Sequence, residues 1–240
     1  MKTIAHYLLA TASPLQHFID KPSITHDFCN RQALQILVRD GILSNIDFFT
    51  SHVNEIKAGV NWADRHWKNV DHYLNPDTGK GIWPFGNALD TFRRNFSIAA
   101  RATRRGDRYK AAFFLGAAAH LVQDLCVPHH ARGLMFNGHH EFELWAMQHC
   151  DSYAVNDAGL YSRSKRTADF ILANSLIAAD LFPAVDMERD CLNYDGAACV
   201  ALPLAQRSTA GLFEYFHRMF ISSPHTIFMS VTSNAPISAA

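Results

Sequence analysis

One histidine-rich segment in the middle of this 240-residue chain constrains its fold and its chemistry more than any other feature. This segment contains two pairs in which a histidine is followed by a carboxylate four residues later: His120 with Asp124, and His139 with Glu143. Residues four apart lie on one face of an α-helix, so each pair directs both groups at one point. Pro128 lies between the pairs and is expected to end the first helix. The segment therefore predicts two helices, each presenting a pair of groups that can bind a metal ion.

Imidazole and carboxylate groups are typical ligands of zinc, which makes zinc the expected metal. For His120 and Asp124 the alternative is a buried ion pair. An unpaired charge in so apolar a helix is costly, however, and a metal neutralises both groups. For the second pair the alternative is an exposed helix start, where Glu141 and Glu143 would face the positive end of the helix dipole.

Three more histidines leave the second ligand set open. His140 lies three residues before Glu143 and is an alternative to His139. Either His129 or His130 could complete the set, and spacing alone does not choose between them. The chain has 14 histidines, more than ordinary structural roles need, and this number indicates metal binding or proton transfer.

Charge composition argues against one class of function. Lysine and arginine together number 22, as do aspartate and glutamate, so the formal net charge is zero. Non-specific nucleic-acid binding normally shows a basic excess, and the chain carries no strong signature of it. A nuclease that meets phosphate through metal ions is not excluded by this balance.

The rest of the chain predicts helices joined by loops, since no stretch of any length alternates apolar and polar residues as a strand does. We therefore predict an all-α fold: a single multi-helix domain over residues 1–240, with a zinc cluster in a cleft between the central helices. The N-terminal segment 1–22 and the loosely held tail 222–240 lie at its margins. Turn-forming residues predict a loop over 74–85, and the stretch 187–203 is predicted to be irregular. The expected helices span 27–38, 44–56 with Ser44 as N-cap, 61–69 as an extension or a separate helix, 87–105, 107–126, 139–154, 164–181 and 204–220.

The N-terminal residues 1–12 resemble a short signal peptide, although His6 interrupts the apolar run. If the segment is cleaved the protein is secreted or periplasmic, and otherwise it is cytoplasmic. No apolar run reaches the roughly 18–20 residues that cross a bilayer, so no transmembrane segment is expected, while action at a membrane surface stays open. Cys191 and Cys199 are spaced to close a short loop in an exported protein, with buried reduced thiols as the alternative. The oligomeric state is not predicted.

Short motifs stand in a fixed order on both sides of the histidine-rich segment. They are His26 at a helix start, Ala63-Asp64, His72 with P-D-T-G-K at 76–80, F-F-L-G at 113–116 before His120, P-H-H at 128–130, and A-Q-R-S-T-A-G at 205–211. In this order they resemble the zinc-dependent phospholipase C family, bacterial enzymes that prefer phosphatidylcholine. That family belongs with the single-strand nucleases of the P1 and S1 type to one superfamily of all-α, three-zinc phosphodiesterases. The resemblance covers residues 23 to 220.

The resemblance implies a zinc-dependent phosphodiesterase that hydrolyses a phospholipid or related phosphoester with metal-activated water. It implies two to three zinc ions, with Asp124 as a bridge between two of them and Asp64 as catalytic general base or ligand. The implied ligand sets are His72, His120 and Asp124, with Asp64, for one zinc; His130, His139 and Glu143 for a second; and His26 with Asp124 for a third.

Two departures from the family bear on these expectations. The family's N-terminal tryptophan supplies ligands to the third zinc, but no tryptophan precedes Trp62 here, so His17, Asp20 or a processed N-terminus would have to replace it. The tyrosine after the family's Ala-Asp is Arg65, which loses a cation–π contact with choline and suits a phosphate or acidic group instead. The expected substrate-contact residues are Arg65, His66 and His129. His66, His129 and His140 are candidates either for supporting the ligands or for contacting the substrate.

Two alternatives remain open from the sequence. Trp62-Ala63-Asp64 resembles a motif of the single-strand nucleases, although those enzymes have H-x-x-x-D where this chain has His139 to Glu143. The second alternative is a diverged member of the family that keeps the metal scaffold for a biosynthetic or binding role. It is suggested by the missing N-terminal tryptophan and by Arg65, which stands where the family has tyrosine.

Overall fold

The computed structural model describes residues 23–42, 46–163 and 166–222, without the side chains of residues 66, 67 and 163. Within these ranges the chain forms α-helices, short 3₁₀ segments and a final π-helical turn, and the β pairing is limited to an isolated bridge between Asn75 and Lys80. The prediction of an all-α fold is confirmed. The α-helices are α1 (Ile24–Arg39), α2 (Ile46–Ser51), α3 (Val53–Asp64), α4 (Ala88–Arg104), α5 (Arg108–Asp124), α6 (Pro128–Arg132), α7 (His139–His149), α8 (Ala168–Leu181) and α9 (Tyr194–Phe216).

Helix α5 occupies the centre of the bundle and packs between α3 and α4, while α9 packs against both α1 and α5. The Asp107 side chain caps α5 by accepting a hydrogen bond from the Lys110 backbone N–H at 3.0 Å. The stretch 111–119 is rich in alanine, and most of its residues are fully buried. Small side chains let neighbouring helices approach from several directions, which explains why the chain uses this segment as its core.

Two glycines set the distance between α3 and α5. A Cβ on Gly59 would lie 1.8 Å from the carbonyl oxygen of Phe113, and a Cβ on Gly116 would lie 2.1 Å from that of Ile56. Both obstacles are backbone atoms that cannot rotate away, so only glycine permits this approach. The close packing brings the last turns of α3 and α5 together, where several of the predicted metal ligands lie.

The predicted helix 44–56 is interrupted at His52, which separates α2 from α3. His52 Nδ1 lies 2.8 Å from the carbonyl oxygen of Phe48, four residues earlier. A side chain that occupies this carbonyl competes with the backbone N–H that would continue the helix. The prediction of one continuous helix is therefore wrong.

The prediction of an irregular stretch over 187–203 is wrong in its second half, because α9 begins at Tyr194. The Asn193 side chain caps this helix by accepting a hydrogen bond from the Gly196 N–H at 2.8 Å. Pro203 lies inside the helix and removes one backbone donor, which normally interrupts a helix. Tertiary packing offsets this cost, since the residues on both sides of the proline are buried where α9 meets its neighbours.

Other predicted boundaries shift by a few residues. Helix α7 ends at His149 and gives way to a 3₁₀ segment, Cys150–Tyr153, inside the predicted helix 139–154. The predicted segment 61–69 divides between the end of α3 and a 3₁₀ helix, Arg65–Asp71. The predicted cap Ser44 lies outside the described residues.

The predicted signal segment 1–12 and the tail beyond residue 222 also lie outside the described residues. Cys191 and Cys199 are both exposed free thiols. In the part of the chain that the structure describes, no helix combines the length and apolar character needed to cross a membrane.

Candidate metal centre

Four predicted ligands converge at the ends of α3 and α5 and form what we call the first cluster: Asp64, His72, His120 and Asp124. Asp124 Oδ2 lies 2.8 Å from His72 Nδ1 and 3.0 Å from His120 Nε2. Asp64 Oδ1 lies 3.1 Å from His120 Nε2 and 3.6 Å from His72 Nδ1. His120 and Asp124 share one face of α5, as their spacing predicts. The structure thus brings together residues separated by up to 60 positions in the sequence.

The first cluster has the chemistry of a metal site. His72 Nδ1, both ring nitrogens of His120 and Asp124 Oδ2 are buried, and no described group forms a hydrogen bond of normal geometry with them, despite the short separations. Buried polar atoms in folded proteins nearly always have a hydrogen-bond partner, so this set needs a further partner. Ligand atoms that lie within 4.8 Å of one another in this way fit a zinc ion placed between them.

Electrostatics keeps the carboxylates of this cluster ionised. Burial by itself would lower the pKa of His120, but the charges of Asp124 and Asp64 outweigh it and hold the pKa well above its usual value. Burial would likewise raise the pKa of Asp124, and the charge of His120 holds it well below its usual range. The carboxylate oxygens are therefore in the form that binds a cation.

A second cluster consists of His130, His139 and Glu143. Glu143 Oε1 lies 2.9 Å from His139 Nε2 and 3.4 Å from His130 Nε2. The remaining ring nitrogens face backbone carbonyls: His130 Nδ1 lies 3.0 Å from the oxygen of His72, and His139 Nδ1 lies 3.3 Å from that of Met135. Histidines that bind metals are usually held by their second nitrogen in this way, so the cluster also fits a metal ion.

This geometry selects between the alternatives that spacing left open. His130 and His139 enter the second cluster, whereas His129 and His140 do not. Although burial opposes it, the negative charges of Asp124 and Glu143 raise the pKa of His130 to about 9.

His26 faces the second carboxylate oxygen of Asp124 and also contacts the first cluster. Its Nε2 is 3.4 Å from Asp124 Oδ1, and its ring stacks on His120 with 4.1 Å between ring centroids. Asp124 thus directs one oxygen at the first cluster and the other at His26, which is the geometry expected of a bridging ligand. His17 and Asp20, the sequence candidates for completing this position, lie outside the described residues.

The substrate-contact role predicted for His129 requires correction. Its ring is fully buried, its Nε2 lies 2.9 Å from the carbonyl oxygen of Asn137, and it stacks on His139 at 5.0 Å between centroids. Burial lowers the pKa of His129 to about 4. The ring therefore supports His139 from behind and has no access to a substrate.

The other substrate-contact candidates differ in position. Arg65 and His140 are exposed and line the cavity described below. The backbone of His66 belongs to the 3₁₀ helix after α3, and its side chain lies outside the described part of the structure.

Both clusters open into one cavity of about 900 Å³. Its polar wall includes His26, Asp64, Asp124 and the second cluster. Apolar and sulfur-containing side chains also line this cavity, and they come mainly from α7, α9 and the connection that follows α5. They include Cys126, Val127, Met135, Phe142, Leu144, Ala146, Met147, Ala201, Leu202 and Ala205.

Sequence reasoning missed Tyr73, which directly follows a predicted ligand. Its ring stacks on His130 at 4.5 Å between centroids and meets His139 edge-on at 5.9 Å. Its hydroxyl lies 3.4 Å from His139 Nδ1. Nothing in the local sequence indicates that this buried tyrosine contacts the second cluster rather than the general core.

Comparison with known proteins agrees with this geometry. A family model for zinc dependent phospholipase C matches residues 25–184, a span that contains every proposed ligand from His26 to Glu143. The chain belongs to this family. The resemblance seen in the sequence is thereby confirmed, and zinc is the metal that the family and the two clusters support.

Individual relatives are distant. A phospholipase C of Clostridium perfringens is 28% identical over 233 residues, which cover 80% of this chain and 58% of the relative. A phospholipase C of Clostridium novyi is 24% identical over 169 residues, covering 60% of this chain and 42% of the relative. The matches thus span only 42–58% of the length of these relatives.

Solved structures establish the fold. The alpha-toxin of an avian strain of Clostridium perfringens superposes with a TM-score of 0.72 at 23% identity, covering 85% of this chain and 66% of that one. The alpha toxin of Clostridium absonum gives a TM-score of 0.73 at 21% identity, covering 86% and 66%.

Proposed function

We propose that this protein is a zinc-dependent phosphodiesterase that hydrolyses a phospholipid or a related phosphoester. The observation that carries the proposal is the convergence of two histidine–carboxylate clusters on one cavity that also has an apolar lining. The polar part suits the charged phosphate, and the apolar part suits the hydrocarbon or glyceride portion of the same substrate. The names of the relatives support this assignment.

Each metal-binding residue has a defined task in this proposal. The first cluster and the second cluster would each hold one zinc ion, and Asp124 would hold a further ion together with His26. Zinc at these positions would supply positive charge that neutralises phosphate oxygens and makes water a stronger acid. Because 42% of the Asp64 side chain is exposed, against 4% for Asp124, Asp64 is the carboxylate of the first cluster that reaches solvent in the cavity. It orients the attacking water and accepts its proton.

Specificity is expected to follow from residues around the metal ligands. Arg65 is exposed where it lines the cavity, and its guanidinium group is suited to a second phosphate or to an acidic headgroup. A quaternary ammonium would be repelled at this position. We therefore expect the protein to prefer anionic phosphoesters to phosphatidylcholine, at a membrane surface or in solution.

The nuclease alternative gains no support from the described site. Trp62 packs edge-on against Phe113 and Phe114, with Lys68 Nζ 4.7 Å from its ring centroid. It is not among the residues that line the cavity. A tryptophan held in this way does not offer a free face on which a base could stack.

The test combines metal analysis with an activity panel. Purified protein should contain two or three zinc ions per chain. It should release the phosphorylated headgroup from vesicles of anionic phospholipid faster than from vesicles of phosphatidylcholine. Both reactions should be far faster than its cleavage of single-stranded DNA. Preference for DNA would favour the nuclease, and zinc binding without hydrolysis of any phosphoester would favour a diverged binding role.

Asp64→Asn tests the proposed mechanism directly. We expect it to retain zinc through His72, His120 and Asp124 and to lose about 10²- to 10⁴-fold in turnover, the usual contribution of a general base. Asp47→Asn is the matched control, because Asp47 is exposed on α2, outside the residues that line the cavity, and should leave turnover unchanged. A variant that keeps its zinc and its full rate would refute the role of Asp64.

A further inference from the structure

A buried side-chain amide next to the bridging carboxylate joins three helices. Gln123 lies on α5 beside Asp124, and only 3% of its surface is exposed. Its Oε1 is 2.8 Å from His26 Nδ1 on α1. Its Nε2 donates to Asn30 Oδ1 at 2.9 Å, also on α1, and to Thr209 Oγ1 at 3.0 Å on α9.

The hydrogen bonds around this amide fix its orientation. The Thr209 hydroxyl donates its only hydrogen to the carbonyl oxygen of Ala205 at 2.7 Å, so its oxygen is left to accept from Gln123. A flipped amide would bring its oxygen against the oxygens of both Asn30 and Thr209. The two hydrogens of Nε2 are therefore used by these partners, and Oε1 is the atom that faces His26.

This orientation determines which nitrogen of His26 carries the proton. A carbonyl oxygen only accepts hydrogen bonds, so Nδ1 of His26 is the protonated nitrogen. The lone pair is then on Nε2, the atom that lies 3.4 Å from Asp124 Oδ1. Backbone carbonyls hold the Nδ1 atoms of His130 and His139 in the same manner. For His26 the equivalent acceptor is a side chain, and it can be removed by mutation.

The geometry points to Gln123 as a positioning residue that fixes the tautomer and ring orientation of His26, so that Nε2 is presented to a metal ion shared with Asp124. This inference rests on the proposed function, which places a metal between His26 and Asp124. It assigns no contact between Gln123 and the substrate. It links occupancy of that metal position to a hydrogen-bond network that extends to α9.

Zinc affinity measured on three variants tests the inference. Gln123→Met keeps the length of the side chain and removes the acceptor. Thr209→Val is the matched control, since it removes a hydrogen bond from the same network but leaves Gln123 Oε1 facing His26. His26→Ala removes the proposed ligand. Zinc content would be measured by atomic emission, and each dissociation constant by competition with a chelator, alongside a thermal melt of each protein.

We expect His26→Ala to lose one zinc ion. Gln123→Met should raise the dissociation constant of that same zinc by about 10- to 100-fold and leave the other sites unchanged, as is usual when a residue supporting a ligand is lost. Thr209→Val should bind zinc much as the unmodified protein does. Adding Gln123→Met to His26→Ala should cause no further loss, because the effect acts through His26.

The outcomes separate this inference from the proposed function. If His26→Ala keeps all its zinc, the metal position beside Asp124 does not exist. The role of Gln123 and the part of the proposed function that places a metal at His26 are then both refuted. If His26→Ala loses a zinc but Gln123→Met binds it with full affinity, only the role of Gln123 is refuted. A Gln123→Met variant that weakens every zinc equally, with a lower melting temperature, would show a general structural role and would also refute it.

A measurement on the unmodified protein identifies the tautomer of His26 directly. Long-range ¹H–¹⁵N spectra of the histidine rings, assigned by comparison with His26→Ala, report which nitrogen carries the proton. We expect the hydrogen on Nδ1 of His26. A hydrogen on Nε2 would overturn the inference.

Discussion

Replacing Gly116 by alanine should impair catalysis through helix spacing alone. The new Cβ would lie 2.1 Å from the carbonyl oxygen of Ile56, whereas real contacts of this kind are not shorter than 3.0 Å. Neither backbone can yield by rotating a side chain, so α3 and α5 must separate locally by about 1 Å, the kind of shift that overpacking forces. Such overpacking typically costs about 1–3 kcal/mol, which corresponds to a fall of roughly 2–12 °C in melting temperature for a domain of this size.

The same displacement reaches the first cluster. Asp64 ends α3 and His120 lies one turn beyond Gly116 on α5, and the two side chains are now 3.1 Å apart. Zinc–ligand distances are close to 2.0–2.2 Å for nitrogen and oxygen and tolerate little change. A misplacement of about 1 Å at a reacting centre can cost about 10²-fold in rate, so we expect a loss of that order in turnover at a temperature where the variant is fully folded.

Gly106→Ala provides a control of matched stability for this experiment. Gly106 has φ of 77° with no atom within 4 Å of an added Cβ, so alanine there is strained without crowding a neighbour. The left-handed conformation costs about 1–2 kcal/mol for other residues. We expect this variant to melt earlier and to keep its turnover. The reasoning is refuted if Gly116→Ala keeps full activity, or if both variants lose activity in proportion to their stability.

Three further predictions concern acid stability, metal removal and the apolar part of the cavity. Partial burial disfavours the charged form of Asp40, but hydrogen bonds from the Gly159 N–H and the Tyr161 hydroxyl outweigh it and lower its pKa. Asp40→Asn should therefore lower the free energy of unfolding by about 1 kcal/mol near pH 7, allowing for solvent screening. Urea unfolding should show this difference from the unmodified protein shrinking as the pH falls below about 4, because the carboxyl then becomes protonated. A difference that stays constant with pH would contradict this. Removing zinc with a chelator should abolish hydrolysis and lower the melting temperature. The loss of stability should be about 4 kcal/mol if the free zinc concentration had been 1,000 times the dissociation constant. An unchanged melting temperature would argue against zinc binding to the folded state. Leu144→Trp should fill part of the cavity and slow hydrolysis of long-chain phospholipid more than hydrolysis of a water-soluble phosphoester. Leu176→Trp is the control and should alter neither rate, because Leu176 is 55% exposed and lies outside the cavity. Equal losses of Leu144→Trp on both substrates would count against an apolar subsite.

The parts of the metal centre that the sequence predicted are those governed by local geometry. The spacing of His120 and Asp124 fixes their common direction as soon as α5 forms. The second pair, His139 and Glu143, is fixed by α7 for the same reason. Helical periodicity, the capping residue and the proline between the helices are all short-range signals, and short-range rules are enough to interpret them.

The parts that escaped prediction depend on tertiary packing. Pro203 indicates a break by local rules, yet α9 passes through it because the flanking residues are buried against other helices. His129 and His130 are neighbours in the sequence, and only the position of α7 decides that one ring supports His139 from behind while the other enters the cluster. The hydrogen-bonded triad of Gln123, Asn30 and Thr209 joins residues that are 86 and 93 positions apart. No pattern within one helix indicates such a contact.

His72 connects the two clusters. Its ring nitrogen is part of the first cluster, while its carbonyl oxygen faces Nδ1 of His130 in the second. The Leu74 N–H, two residues on, donates to the carbonyl oxygen of His130 at 3.0 Å. A metal ion that immobilises the His72 ring therefore also orders the backbone that orients His130, and the coupling must act equally in the other direction. Zinc should accordingly bind the two clusters cooperatively, so that when zinc is scarce few molecules carry an ion in one cluster and none in the other.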